Sequence, residues 1–138
     1  MNRNAQLDQI CIRFGLLAVY LFGSRAEDGL RVLQDQAVPP EGSDLDVALV
    51  FDREDFDPLV LSDLQVAFED FFEPLRVDLV PIQRVDPVFA FAAIDGHRIA
   101  ATDPNRADYY ELAVMSQASE LLPRVRRLEL DLFGVTTP

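Results

Sequence analysis

The sequence predicts a single α/β domain of the α+β kind: a small mixed β-sheet flanked by helices, with C-terminal helices added. Three observations predict it. The order of segments is strand, Gly-Ser turn, helix, strand opening on Asp-Leu-Asp, helix, acid-bearing strand. An apolar fraction of 49% across 138 residues is enough for one domain with a real core. No internal repeat or low-complexity tract interrupts the pattern.

Each element follows from its residues. Residues 5–14 place Leu7, Ile10, Cys11 and Phe14 at helical spacing. Residues 19–22 form a strand, and a helix is expected to open at Ser24 with Ser24 as its cap. In the stretch 29–42, Pro39, Pro40 and Gly42 forbid a continued helix, so a long loop is expected there. Residues 45–51 are the second strand. Leu61, Leu64, Phe68, Phe71 and Phe72 mark an amphipathic helix over 58–72, ended before Pro74. Residues 77–80 are the third strand, 87–94 a short helix, and 98–101 an edge strand. Asp103-Pro104 opens a long C-terminal helix, broken or kinked at Pro123 and closing at Gly134, with a loose tail beyond. The domain is thus expected to span 1–138, with its core at about 5–101 and a helical segment at about 104–134.

Charge and composition exclude several functions. A formal net charge of −12 repels polyanions, and the one short basic run is Arg124-Val125-Arg126-Arg127. Direct nucleic-acid binding is therefore not expected, since phosphate neutralisation dominates that affinity. The chain is also too short for a template-binding domain beside a catalytic core. No stretch approaches the ~20 apolar residues of a membrane span, and the first residues lack a signal-peptide core. The single Cys11 excludes an intramolecular disulfide framework and fits a reducing cytoplasm. All twelve basic residues are arginine, which reads as genomic composition rather than mechanism.

The chemistry concentrates between residues 19 and 51. Side chains at i and i+2 of a strand share a face, so Asp44 and Asp46 project together. Two such acids repel each other unless a cation lies between them, which makes the pair a divalent-metal candidate. The Gly23-Ser24 turn before them suits a phosphate, because backbone N–H groups and a hydroxyl approach closely there. Asp78 stands mid-strand among apolar neighbours, where strand propensity and burial both disfavour it without compensation. If its strand lies beside that of Asp46, three carboxylates share one site able to hold two Mg2+ ions about 3.5–4 Å apart.

With these motifs in place, LFGSRA, SDLDVALV and RVDLV in that order resemble the nucleotidyltransferase superfamily of DNA polymerase β. The smallest members, the minimal nucleotidyltransferases (MNT), match best, over roughly residues 5–100. The resemblance implies that Gly23 and Ser24 hold the β and γ phosphates of a nucleoside triphosphate, and that Arg25 touches them. It also implies that Asp44 and Asp46 bind both metals, while Asp78 binds the catalytic one and helps activate the acceptor hydroxyl. One departure is plain: nineteen residues separate Ser24 from Asp44, more than is usual in the small members. The resemblance further implies Mg2+-dependent transfer of a nucleoside monophosphate, AMP from ATP, onto a hydroxyl of a partner protein. In the antitoxins of this kind the partner is a helical HEPN toxin, modified on tyrosine, which implies a hetero-oligomer.

Plainer readings compete. A Gly-Ser after a strand is usually just a turn, Asp-Leu-Asp can be a cap, and Asp78 can pair with Arg76 or Arg98. A silent antitoxin that neutralises its partner by contact is the alternative function; a small-molecule transferase would need a larger C-terminal domain. His97, the lone histidine, is expected to be structural or exposed, and Cys11 a small core residue. Phe68, Phe71, Phe72, Phe89 and Phe91 are expected to be core rather than a base-stacking platform. Asp52, Glu54, Asp55 and Asp57 read as a solvated loop. Core packing is expected for most of Tyr109, Tyr110, Leu112, Val114, Met115 and Leu121.

Overall fold

The computed structural model describes residues 2–133, with side chains described through Leu121. The chain begins with helix α1 (Arg3–Phe14), whose first turn is closed by the Asn2 side chain accepting from the Ala5 N–H at 2.8 Å. Gly15 ends it at φ +68°, a left-handed position that glycine alone takes without strain. Strand β1 (Leu16–Phe22) then enters the middle of a four-stranded sheet. Helix α2 (Ala26–Leu33), strand β2 (Leu45–Phe51), helix α3 (Val60–Phe71) and strand β3 (Val77–Pro81) follow. A short 3-10 turn at Ile82–Arg84 leads to helix α4 (Pro87–Ile94), edge strand β4 (His97–Ala101) and helix α5 (Pro104–Phe133).

The sheet order is β3-β2-β1-β4, and its pairings make it mixed. Strand β1 runs antiparallel to both β2 and β4, whereas β2 and β3 are parallel. A parallel neighbour needs a crossover, which α3 supplies. Side-chain alternation then builds three layers. On one face Val19, Leu21, Val47 and Leu49 meet Leu7 and Cys11 of α1, Val32 of α2, and Leu64 and Phe68 of α3. On the other, Ala18, Tyr20, Ala48 and Val50 meet Ala90 and Ala93 of α4 and Ala107 and Val114 of α5. Each fully buried Leu or Phe contributes about 1.5–3 kcal/mol relative to exposure. Burial pushes the Cys11 thiol up to about 12, as befits an inert core residue.

Helix α5 is tied to the sheet by polar bonds as well. The buried Tyr20 hydroxyl donates to Glu111 at 2.7 Å, and Arg98 donates to both Glu111 and Asp108 at 2.7 Å. Arg106 reaches back to Asp52, and the Thr102 hydroxyl donates to the Leu16 carbonyl.

Several expectations are corrected. Strand β1 starts at Leu16 rather than 19, because Gly15 stops α1 one residue earlier. The cap of α2 is Arg25, not Ser24, and it makes no side-chain capping bond. Helix α5 runs unbroken past Pro123, so one C-terminal helix stands where several were expected; Gly134 and the tail lie outside the described residues. Phe89 is exposed rather than core, and so are Tyr109, Leu112 and Met115. Among the described residues no helix is long and apolar enough to cross a membrane.

Candidate active site

The three predicted acids come together at one end of the sheet, on the face that carries α4. Parallel pairing sets Asp46 directly opposite Asp78, and antiparallel pairing sets Phe22 opposite Asp46. Directly paired residues share a face, so Phe22, Asp46 and Asp78 form a row across three neighbouring strands. Asp44, two residues before Asp46, lies at the mouth of the same row. Asp46 is half-buried, whereas Asp44 and Asp78 are exposed.

Asp46 records the electrostatics of this arrangement. Its carboxyl is held above the usual carboxylate range, chiefly by burial, then by Asp78 and Asp44. Among the described residues no arginine or histidine forms an ion pair with any of the three; Arg98 is committed to Asp108 and Glu111. A carboxylate with two like-charged neighbours and no cationic partner lies in a field that a divalent cation relieves. The donors suit such an ion, being all carboxylate oxygen with no sulfur or nitrogen among them. Among the described residues, though, no three acids, histidines or cysteines are already drawn together at metal-holding distance.

The Gly23-Ser24 turn lies against this row. Gly23 has φ +76°, and a Cβ built on it would overlap the Asp46 Oδ2 atom. The backbone conformation favours glycine here, and any larger residue would also push the Asp46 carboxylate aside. The Ser24 hydroxyl lies 3.0 Å from the Ser43 hydroxyl, next to Asp44. Glycine turn, two hydroxyls and three carboxylates thus share one exposed edge.

Arg25 has a different placement. It is 6% exposed, and its guanidinium donates to Asp28, Glu41, Ser43 and Pro39. Three of those acceptors are backbone carbonyls of the loop between α2 and β2. Three of its N–H donors anchor that loop and a fourth holds Asp28 of α2. The extra length after α2 is therefore clamped to the core and carries Ser43 to the site.

Sequence reasoning passed over Ser43 and Phe22 beside the acids, and read Phe89 as core. Ser43 immediately precedes Asp44, so its place in SDLD was the available signal. Phe22 and Phe89 meet edge-on with centroids 5.9 Å apart, and no spacing rule connects them. His97 is exposed, as expected, and its Nε2 lies 3.4 Å from Glu27 at the start of α2. A roomy groove of about 660 Å3, lined by Ile10, Ile12 and Phe71 among others, lies on the opposite face of the sheet and includes none of the acids.

A mixed sheet with acids on adjacent strands, beside a glycine turn, suits metal-assisted phosphoryl chemistry. The chain belongs to the family described as polymerase beta, nucleotidyltransferase, whose family model matches residues 6–105. No curated protein matches it. Solved structures share the fold. A crystal structure of a mutant toxin–antitoxin MntA–HpeT aligns with TM-score 0.69 at 17% identity, covering 98% of this chain and 100% of that one. A toxin–antitoxin crystallised with AMP-PNP gives 0.66 at 17% identity, over 96% and 98%. The tri-AMPylated Shewanella oneidensis HEPN toxin in complex with MNT antitoxin gives 0.65 at 16% identity, over 96% and 97%.

Proposed function

We propose that this protein is a Mg2+-dependent nucleotidyltransferase that moves AMP from ATP onto a hydroxyl of a helical HEPN-type toxin, and so acts as its antitoxin. The whole chain is read as one nucleotidyltransferase domain working in the cytoplasm, in a hetero-oligomer with that toxin. The observation that carries the reading is the row Asp46–Asp78 lying against the Gly23 turn, with Asp44 at its mouth. Family membership supplies the reaction class. The similar folds, named for an AMP-PNP complex and an AMPylated HEPN toxin, supply the nucleotide and the partner.

In this reading Gly23, Ser24 and Ser43 hold the outer phosphates through backbone N–H and hydroxyl groups. Arg25 keeps the loop, and with it Ser43, in position. Asp44, Asp46 and Asp78 would hold the Mg2+ ions through their carboxylates. Bound Mg2+ supplies charge neutralisation on the triphosphate and polarises the phosphorus under attack. The acceptor oxygen forms a bond to the α-phosphorus while the bond to pyrophosphate breaks. The acceptor's proton passes to the Asp78 carboxylate and then to water. Most of the rate gain comes from positioning and electrostatics.

The test is a calorimetric titration of ATP, with and without Mg2+, into wild type and the Asp44→Asn/Asp46→Asn variant. Mg2+-dependent binding that disappears in a folded variant supports the reading. Binding by wild type that ignores Mg2+, or survives the double substitution, overturns it. A contact-only antitoxin is the second reading, favoured by the exposed Tyr109, Leu112 and Met115 on α5. It predicts toxin neutralisation by the double variant.

A further inference from the structure

We infer that Phe22 and Phe89 form a stacking platform for the base of the bound nucleotide and set a preference for purines, an inference that rests on the nucleotidyltransferase reading above. Phe22 is the last residue of β1, directly before Gly23, and its cross-strand partner is Asp46. The side chains of such partners rise from the same face about 5 Å apart at their Cβ atoms. The phenyl ring therefore begins where the carboxylate row ends. Phe89 extends it, its ring standing at 87° to that of Phe22 with centroids 5.9 Å apart. Edge-to-face packing at this distance is a favoured aromatic geometry.

Phe89 is the large apolar side chain that α4 leaves exposed. Ala90, Ala93 and Ile94 of α4 are buried, yet the Phe89 side chain is 43% exposed. Core packing does not require so large an apolar ring in solvent at this place. Its position is nonetheless fixed. Asp86 caps α4 by accepting from the Phe89 N–H at 2.9 Å, and Pro87 opens the first turn. Phe22 is fixed from the other side by the Gly96 turn, where a Cβ would lie 3.0 Å from the Phe22 Cβ.

Charge points to a base as the occupant. At net charge −12, with three acids beside the rings, an anionic ligand approaches only with cations. A neutral heterocycle has no such requirement, and its π-face pairs with an aromatic side chain regardless of hydrogen-bonding pattern. The larger purine covers more of the platform than a pyrimidine. A nucleotide would then divide its contacts between phosphates on the Gly23 turn and base on the rings.

The experiment measures Mg2+–ATP, Mg2+–CTP and Mg2+–tripolyphosphate binding to wild type, Phe89→Ala and Phe89→Trp by calorimetry. Tripolyphosphate engages the phosphate and acid part of the site without a base. The expected result is that Phe89→Ala weakens ATP about tenfold, leaves tripolyphosphate unchanged and removes the preference for ATP over CTP. Phe89→Trp retains tight ATP binding. The platform is overturned if Phe89→Ala binds ATP as wild type does, or weakens ATP and tripolyphosphate alike. If tripolyphosphate and ATP both fail to bind folded wild type, the nucleotidyltransferase reading itself falls and the platform with it.

Discussion

Two acid-bearing clusters occupy the same face of the sheet and are built on opposite principles. In one, Glu111 and Asp108 are answered by Arg98, and Glu111 also accepts the buried Tyr20 hydroxyl at 2.7 Å. Every charge there has a partner, and the bonds tie α5 to β1 and β4. In the other, Asp44, Asp46 and Asp78 face one another and, among the described residues, no cation answers them. The first lowers the free energy of the fold; the second raises it. A cluster that costs stability and is still held on adjacent strands points to a ligand, whereas a satisfied one explains itself by the structure it holds.

The largest expected effect concerns the unanswered cluster. Asp78→Asn should lower turnover about a thousandfold, equivalent to several kcal/mol of transition-state stabilisation, with the melting temperature kept. Pyrophosphate release in the presence of a HEPN-type toxin reads it. Unfolding of that variant would place Asp78 among the structural acids and break the comparison.

The answered cluster should behave the other way. Tyr20→Phe removes one buried hydrogen bond and is expected to cost about 1 kcal/mol of unfolding free energy in denaturant titration. Nucleotide binding should stay at the wild-type level. A loss of binding without a loss of stability would show that the two clusters communicate.

The smallest effect sharpens the difference by pH. Burial, Asp78 and Asp44 raise the folded-state pKa of Asp46 above its ordinary value. Ionising it therefore works against the metal-free fold. That cost is absent at low pH, grows as pH rises from the ordinary carboxylate range through the raised folded value, and is constant above it. Asp46→Asn should melt about 2 °C higher than wild type at neutral pH, and the gap should close as the pH falls below the carboxylate range. A gap that stays constant down to acid pH would assign the gain to packing instead.

Elements whose signals are local were legible in the chain. Strand β2 and helix α4 fall on the residues expected, because Asp-Leu-Asp opens one and Asp86-Pro87 opens the other. The pairing of the acids was legible as well, since motif order brings Asp46 and Asp78 onto neighbouring strands, with Asp44 just before β2. The start of β1 was not, because the apolar run Leu16-Leu17-Ala18 suits helix and strand equally. The anchoring contacts of Arg25 were hidden for a different reason. Its neighbours in sequence point to phosphate, while its partners Pro39, Glu41 and Ser43 come from a loop whose path no propensity encodes. Phe89 was read as core from its apolar surroundings, which is a statement about averages that one exposed ring contradicts.

The parallel pairing of β3 with β2 has a consequence for how the protein comes into being. A chain folded only as far as β2 carries the glycine turn and two aspartates but lacks Asp78, which arrives across the whole α3 crossover. Partial folds therefore assemble an incomplete ligand set. A nucleotide that binds just the finished sheet adds about 2.7 kcal/mol to its stability at a hundredfold excess over Kd. Substrate supply would then act as an inspector of new molecules, retaining those in which β3 has docked and leaving the rest to proteolysis.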